Sequence, residues 1–162
     1  MIVVADTSVI LNLCRVEQGD LLPSLFGQVW ITEEVRDEFL RLSSAEPKFQ
    51  GLQIPSWAAV QACPDEIPKL QGYAGLHRGE RSALALALAT QADAILMDDA
   101  AGRRAAKALG LVVIGVAGIL LQAKRRGLLP SLRPVIERLQ NEAGFWLSPA
   151  LTIETLRQAG ET

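Results

Sequence analysis

The chain opens with an unbroken apolar run, Ile2-Val3-Val4-Ala5, that stops abruptly at Asp6. The pattern returns at Ala94-Ile95-Leu96-Met97, which stops at Asp98-Asp99. An apolar run with no polar alternation suits a strand buried on both faces, as in a parallel sheet. Such a sheet needs helical crossovers between its strands. The sequence supplies them. Helices are predicted from Thr7 and Ser8, read as capping residues, to about Arg15, over Asp20 to Phe26, and from about Glu33 to Leu42. Further helices are predicted from Pro64 to Tyr73, Glu80 to Thr90, Arg103 to Leu109, Gly118 to Arg126, Pro130 to Glu142, and after Thr152. Val29 to Thr32 and Leu111 to Ile114 read as two more strands. Ile54 to Val60 is either a short strand or irregular, because Pro55 argues against a central strand. Ser43 to Gly51 reads as loop. The expected fold is therefore an α/β layered domain with a mostly parallel sheet.

The 162 residues suit one domain, taken here as 1–162. The charged fraction of 21% and the formal net charge of -2 are those of an ordinary folded chain. A near-neutral balance leaves nucleic-acid binding to a local basic face. Cys14 and Cys63 lie far apart, with no CxxC or Cys/His spacing, so a zinc site is not expected. They read as buried thiols in a reducing compartment, and the location expected is cytoplasmic. The longest apolar run, Leu111 to Leu121, is too short for a membrane span of about 20 residues.

In a parallel α/β sheet, ligands bind outside the carboxyl ends of the strands. Asp6, Asp98 and Asp99 stand at such ends, and Glu80 opens a helix after Gly79. Each alone is explained by helix capping and the helix dipole. Together they suit a shared site. Glu80 also heads the stripe Ala83, Leu84, Ala87 and Leu88 that should face the core. On the helix from Glu33, the buried stripe is Val35, Phe39 and Leu42, and Glu38 lies about 65° from its centre at roughly 100° per residue. Glu34 is farther out and Glu33 points away. Clustered carboxylates repel one another unless a cation is present. Hard oxygen donors favour Mg²⁺ or Mn²⁺, which activate water and stabilise phosphoryl-transfer charge. His77 is the only histidine, and reads as a loop residue before the Gly79 turn.

These segments, in this order, resemble the PIN-domain family. The residues that carry the likeness are Asp6-Thr7-Ser8, Leu76 to Ala87 around Gly79-Glu80, Ala94 to Asp99 with Gly102-Arg103-Arg104, and Leu109 to Gly115 with Gly118-Ile119-Leu120. The likeness is to a prokaryotic subfamily similar to toxin ribonucleases of the VapC type, and runs from Met1 to about Gly160. It implies a three-layer α/β/α sandwich with a central parallel sheet of about five strands, and a helical carboxy-terminal extension from about Ser131. It implies an endoribonuclease dependent on Mg²⁺ or Mn²⁺, the toxin of a toxin–antitoxin pair. Asp6, Glu38, Glu80 and Asp99 match the family's four acids, with Asp98 alongside as a further metal ligand. Thr7 and Ser8 of the opening motif are expected on the substrate side. Many toxin relatives carry Asp where Glu80 stands, and Thr or Ser where Met97 stands. A homodimer and an antitoxin peptide are further expectations from the likeness.

Arg103 and Arg104 follow Asp98-Asp99 and could position phosphates without reading sequence. Lys124-Arg125-Arg126 can simply complement a helix carboxyl end. Trp30, Trp57, Trp146, Phe26 and Phe39 are scattered and read as core, with no platform for stacking bases. A receiver domain would pair its acids after the first strand, and a haloacid-dehalogenase-like enzyme would carry Asp where Ser8 stands. The remaining alternative is a non-catalytic RNA- or protein-binding module on the same fold.

Overall fold

A computed structural model describes residues 1–64 and 68–162. Its centre is a five-stranded sheet of order β3-β2-β1-β4-β5, with every pairing parallel. The strands are β1 (Ile2–Ala5), β2 (Gln28–Thr32), β3 (Ala58–Gln61), β4 (Ala94–Leu96) and β5 (Val113–Ile114). Among the described residues eight α-helices accompany them. These are α1 (Thr7–Arg15), α2 (Leu21–Phe26), α3 (Glu33–Ala45), α4 (Arg78–Thr90), α5 (Ala100–Ala108), α6 (Val116–Arg125), α7 (Arg133–Glu142) and α8 (Pro149–Gln158). The result is the three-layer α/β/α arrangement. Val3, Val4, Ala5, Ile95 and Leu96 are wholly buried, as apolar strands covered on both faces should be.

Strand order decides where a ligand can sit. The chain builds outward from β1 through β2 to β3, then returns to lay β4 and β5 on the other side of β1. Loops leaving β1 and β4 therefore diverge and open a crevice between them. Asp6 continues the ladder at that point, its amide donating to the Leu96 carbonyl at 2.9 Å.

Several expectations need correction. The stretch from Ser43 is not all loop: α3 runs on to Ala45, and a 3-10 turn covers Pro47–Phe49. Phe49 drops into the core there, so apolar burial holds a segment whose local composition reads as open. The Ile54 to Val60 question resolves as the edge strand β3, which starts after Pro55 and so keeps proline out of the ladder. Of the helix expected over Pro64 to Tyr73, the described residues form only a 3-10 turn, Pro68–Leu70; residues 65–67 of that span lie outside the described residues. Helix α5 starts at Ala100, three residues earlier than expected, because Asp99 rather than a later residue caps it. Thr7 and Ser8 are inside α1, and Asp6 holds the cap position without its side chain capping. Cys14 and Cys63 are unbridged and half-buried rather than fully buried. Among the described residues no helix is long and apolar enough to cross a membrane.

Residues from Ser131 onward pack as part of the same core, through Leu132, Val135, Ile136, Leu139 and Leu156. Arg138 donates to the Val16 carbonyl at the end of α1 (3.0 Å), and Arg15 pairs with Glu142 at 3.0 Å. Glu161 closes the other end. Its carboxylate accepts from the amides of Leu132 (2.7 Å) and Arg133 (3.2 Å), from the Ser131 hydroxyl (2.7 Å) and from Lys124 (3.0 Å).

Candidate active site

Four carboxylates from four elements lie near enough to one another, around the crevice between β1 and β4, for three of them to affect the ionisation of Asp6. Asp6 comes from the end of β1, Asp99 from the end of β4, Glu80 from the first turn of α4, and Glu38 from the middle of α3. Asp6 is the most buried, at 4% exposure, and its Oδ1 has no hydrogen-bond partner. Burial raises its pKa first. The Thr7 amide opposes this, and Glu80, Glu38 and Asp99 raise it further, to about 7. The mutual effect of these four charges is what a shared pocket requires.

Each of the other acids is held in a particular way. Glu80 Oε2 accepts the His77 amide at 3.2 Å, so the capping explanation holds for one oxygen, while the other makes no hydrogen bond. Burial raises the Glu80 pKa, the His77 amide lowers it, and Asp99 and Glu38 raise it. Asp99 uses Oδ2 to accept the Gly102 amide at 3.0 Å, capping α5 and leaving Oδ1 without a hydrogen bond. Glu38 approaches the first turn of α4 so closely that a Cβ on Gly79 would lie 3.3 Å from its Oε2. Glycine at 79 leaves the α3 carboxylate room to lie against the first turn of α4.

A buried hydroxyl pair sets the spacing of α3 and α4. Thr32 Oγ1 accepts the Val35 amide at 3.0 Å, capping α3. It also meets Ser82 Oγ at 2.7 Å, and Ser82 donates to the Gly79 carbonyl at 2.8 Å. With the Ser82 proton so used, Thr32 is the donor between them. This pairing is invisible in sequence, since Thr32 and Ser82 are fifty positions apart and each reads as an ordinary helix-end or helix residue.

The structure separates Asp98 from the four. It turns away, toward α6, accepting the Val116 amide at 3.2 Å and 3.3 Å through its two oxygens. Burial raises its pKa; the Val116 amide and Arg103 lower it. Arg103 faces the same way, donating to the Met97 carbonyl at 3.0 Å. Gly115 makes room for both, since a Cβ there would lie 2.6 Å from Asp98 Oδ1 and 2.8 Å from Arg103 Nη1. Asp98 therefore anchors the amino end of α6, and Arg103 braces the end of β4 through the Met97 carbonyl. Thr7 is 1% exposed, and its hydroxyl has no hydrogen-bond partner among the described residues. Of the residues expected on the substrate side, Ser8 and Arg103 are half-buried and Arg104 is exposed on α5, with Ser8 in the wall of a cavity that Glu38 also lines.

Among the described residues, no three acidic, histidine or cysteine side chains are disposed to hold a metal ion as they lie. The donor set nonetheless suits a hard divalent cation: four carboxylates, one with a buried orphan oxygen, and no soft ligand among them. Neighbouring cavities were hidden in the sequence too. One, of about 320 Å³, has Glu34, Asp37, Glu38, Arg41 and Arg78 in its wall. Another contains Asn12, whose only signal was a lone amide in an otherwise apolar helix. It also contains Trp146, which is 73% exposed and not the core residue expected.

A parallel α/β domain with an acidic crevice at the reversal of strand order has its acids where ligands of this architecture bind. The sequence matches the PIN-domain family over residues 2–161, and the chain belongs to that family. PIN domains are generally nucleases acting on nucleic acid, and typically use divalent metals. No curated protein and no solved structure matches the chain.

Proposed function

We propose that the protein is an endoribonuclease in which Asp6, Glu38, Glu80 and Asp99 hold Mg²⁺ or Mn²⁺ against a phosphodiester of RNA. The observation that carries this reading is the Asp6 carboxylate, buried without a partner on Oδ1 and pressed by three other acids. Such a group is unfavourable to retain unless a cation completes it. The bound ion would supply an activated water and a counter-charge for the pentavalent phosphorus. The chain's own residues orient that site. The His77 and Gly102 amides fix one oxygen each of Glu80 and Asp99, and the second oxygen of each, unbonded among the described residues, would be available to hold the ion. The Thr32–Ser82 pair fixes the gap across which Glu38 and Glu80 face each other. Ser8 and Arg104 are placed to meet the sugar–phosphate backbone.

The test is to incubate structured and unstructured RNA with the protein in Mn²⁺, in Mg²⁺ and in chelator. Cutting that needs a metal and disappears with Asp6→Asn supports the reading. RNA binding without cutting in any metal supports the non-catalytic module instead. A toxin role rests on likeness alone. Induced expression that arrests bacterial growth for the wild type but not for Asp6→Asn supports it. Dimerisation and an antitoxin partner rest on the same likeness and are read from the mass of the purified protein, alone and with its neighbouring gene product.

A further inference from the structure

Beside the acids lies a cavity of about 250 Å³, closed by α1, α3, the Pro47–Phe49 turn and the segment that follows α7. Glu38 is in its wall, so the cavity borders the acidic crevice. Three of its residues have unspent capacity for contact. Asn12 is 7% exposed, and its carboxamide makes no hydrogen bond with any described residue while its polar atoms still reach solvent. Trp146 presents a large aromatic surface to solvent, 73% exposed. Lys48 pairs with no described carboxylate. Its Nζ lies 5.1 Å over the Phe49 ring and 3.3 Å from where a Gly144 Cβ would stand. These three are held in relation by Arg15, which donates to the Lys48 carbonyl at 2.7 Å and pairs with Glu142.

We propose that this cavity is a nucleobase subsite, taking one base of a single-stranded RNA next to the phosphate being cut. The proposal rests on the ribonuclease reading, because the two sites share Glu38. A volume of about 250 Å³ is below the roughly 300–1,000 Å³ of pockets for whole drug-sized ligands, and suits one planar ring system. A carboxamide offers both donors and an acceptor, matching the edge of a base. An exposed indole offers the stacking face on which splayed-out RNA bases are commonly held. Lys48 supplies a cation for the adjoining phosphate. Glu38 in the wall disfavours an acidic peptide as the occupant. The subsite also gives the carboxy-terminal segment a role, since α7 docks on α1 and carries Phe145 and Trp146 to the cavity mouth.

The experiment measures binding of short A, C, G and U oligoribonucleotides in chelator, and cleavage of the same oligonucleotides in Mn²⁺. The variants are Trp146→Ala and Asn12→Leu. Trp146→Ala is expected to weaken binding about tenfold for every base. Asn12→Leu is expected to erase the preference among bases, since it removes the carboxamide that would meet the base edge. In cleavage both losses appear in KM rather than kcat. Unchanged affinity and base preference in both variants overturns the subsite, as does a wild type that binds none of the oligonucleotides. Because Trp146 is at the surface, its variant stays informative should Asn12→Leu fail to fold. If the wild type never cuts RNA but the variants lose binding, the subsite stands and the nuclease reading falls. If it cuts and the variants match it, the reverse holds.

Discussion

Asp98 and Asp99 are chain neighbours at the end of one strand, yet they face opposite ways. Asp99 caps α5 and its charge is felt by Asp6; Asp98 caps the start of α6 and sits against Arg103. Replacing each by asparagine therefore separates chemistry from architecture. Asp99→Asn is expected to remove most metal-dependent cleavage with little change in melting temperature. Asp98→Asn is expected to lower stability by about 1–3 kcal/mol, the scale of a buried charged hydrogen bond, while turnover per folded molecule stays near wild type. Parallel denaturant titrations and single-substrate kinetics check both, and equal catalytic losses in the two variants would return Asp98 to the ligand set. Asp6→Asn carries a third signature. It removes a buried charge that three acids repel, so in chelator at pH 8 it is expected to melt higher than wild type even as it loses activity. The sequence showed that these acids stood at strand ends. It could not show which way each faced, because neighbouring side chains beyond a strand end are directed by loop partners, here Gly102 and Val116, rather than by the alternation of the strand.

At the scale of elements, the contacts that matter join distant segments. The α3–α4 spacing depends on Thr32 and Ser82, and Thr32→Val removes both the α3 cap and the link to α4. A loss of about 1–2 kcal/mol is expected from the cap alone, together with a fall in turnover, because Glu38 and Glu80 ride on those two helices. The Glu161 clamp makes a pH prediction. Burial opposes ionisation of Glu161, but the Leu132 amide, the Ser131 hydroxyl, Lys124 and the Arg133 amide outweigh it, and bring its pKa from 4.5 to about 2. A carboxylate whose pKa is depressed by folding stabilises the native state above its unfolded value and loses that contribution as pH falls through the folded one. The clamp is therefore at full strength above about pH 5 and fades between the unfolded value near 4.5 and about 2. Glu161→Gln should lower stability at pH 7 and flatten the acid limb of the melting curve in that window. Hydrogen exchange should place the loss in α6, α7 and α8. The sequence marked α6 to α8 as helices from their periodicity, but a clamp made by the penultimate residue on amides about thirty positions earlier leaves no local pattern to read.

For the molecule as a whole, the parallel sheet was legible because its strands are apolar runs without alternation, a signature of burial on both faces that survives without tertiary information. The edge strand β3 and the turn at Pro47–Phe49 were not, because their apolar content is modest and their conformation is imposed by neighbours. The acids were legible as a set for a related reason: parallel topology brings strand ends together, so residues ninety positions apart become candidates for one crevice. What topology could not supply is the state of that crevice without its ion. Four acids share it, one of them raised to about 7 by burial and by the others. The domain therefore holds repulsion that a divalent cation would relieve, so on the proposed reading metal binding should stabilise the fold. A ligand that binds only the native state stabilises it by RT ln(1 + [L]/Kd), about 2.7 kcal/mol at a hundred times Kd. Melting followed by circular dichroism across a Mn²⁺ titration should thus rise by several degrees for the wild type, since for a chain of this size each kcal/mol shifts Tm by roughly 2–5 °C. Asp6→Asn and Asp99→Asn should respond weakly, and Asp98→Asn should start lower yet rise as steeply as wild type. A flat wild-type titration at millimolar Mn²⁺ would mean that the four carboxylates do not close on an ion.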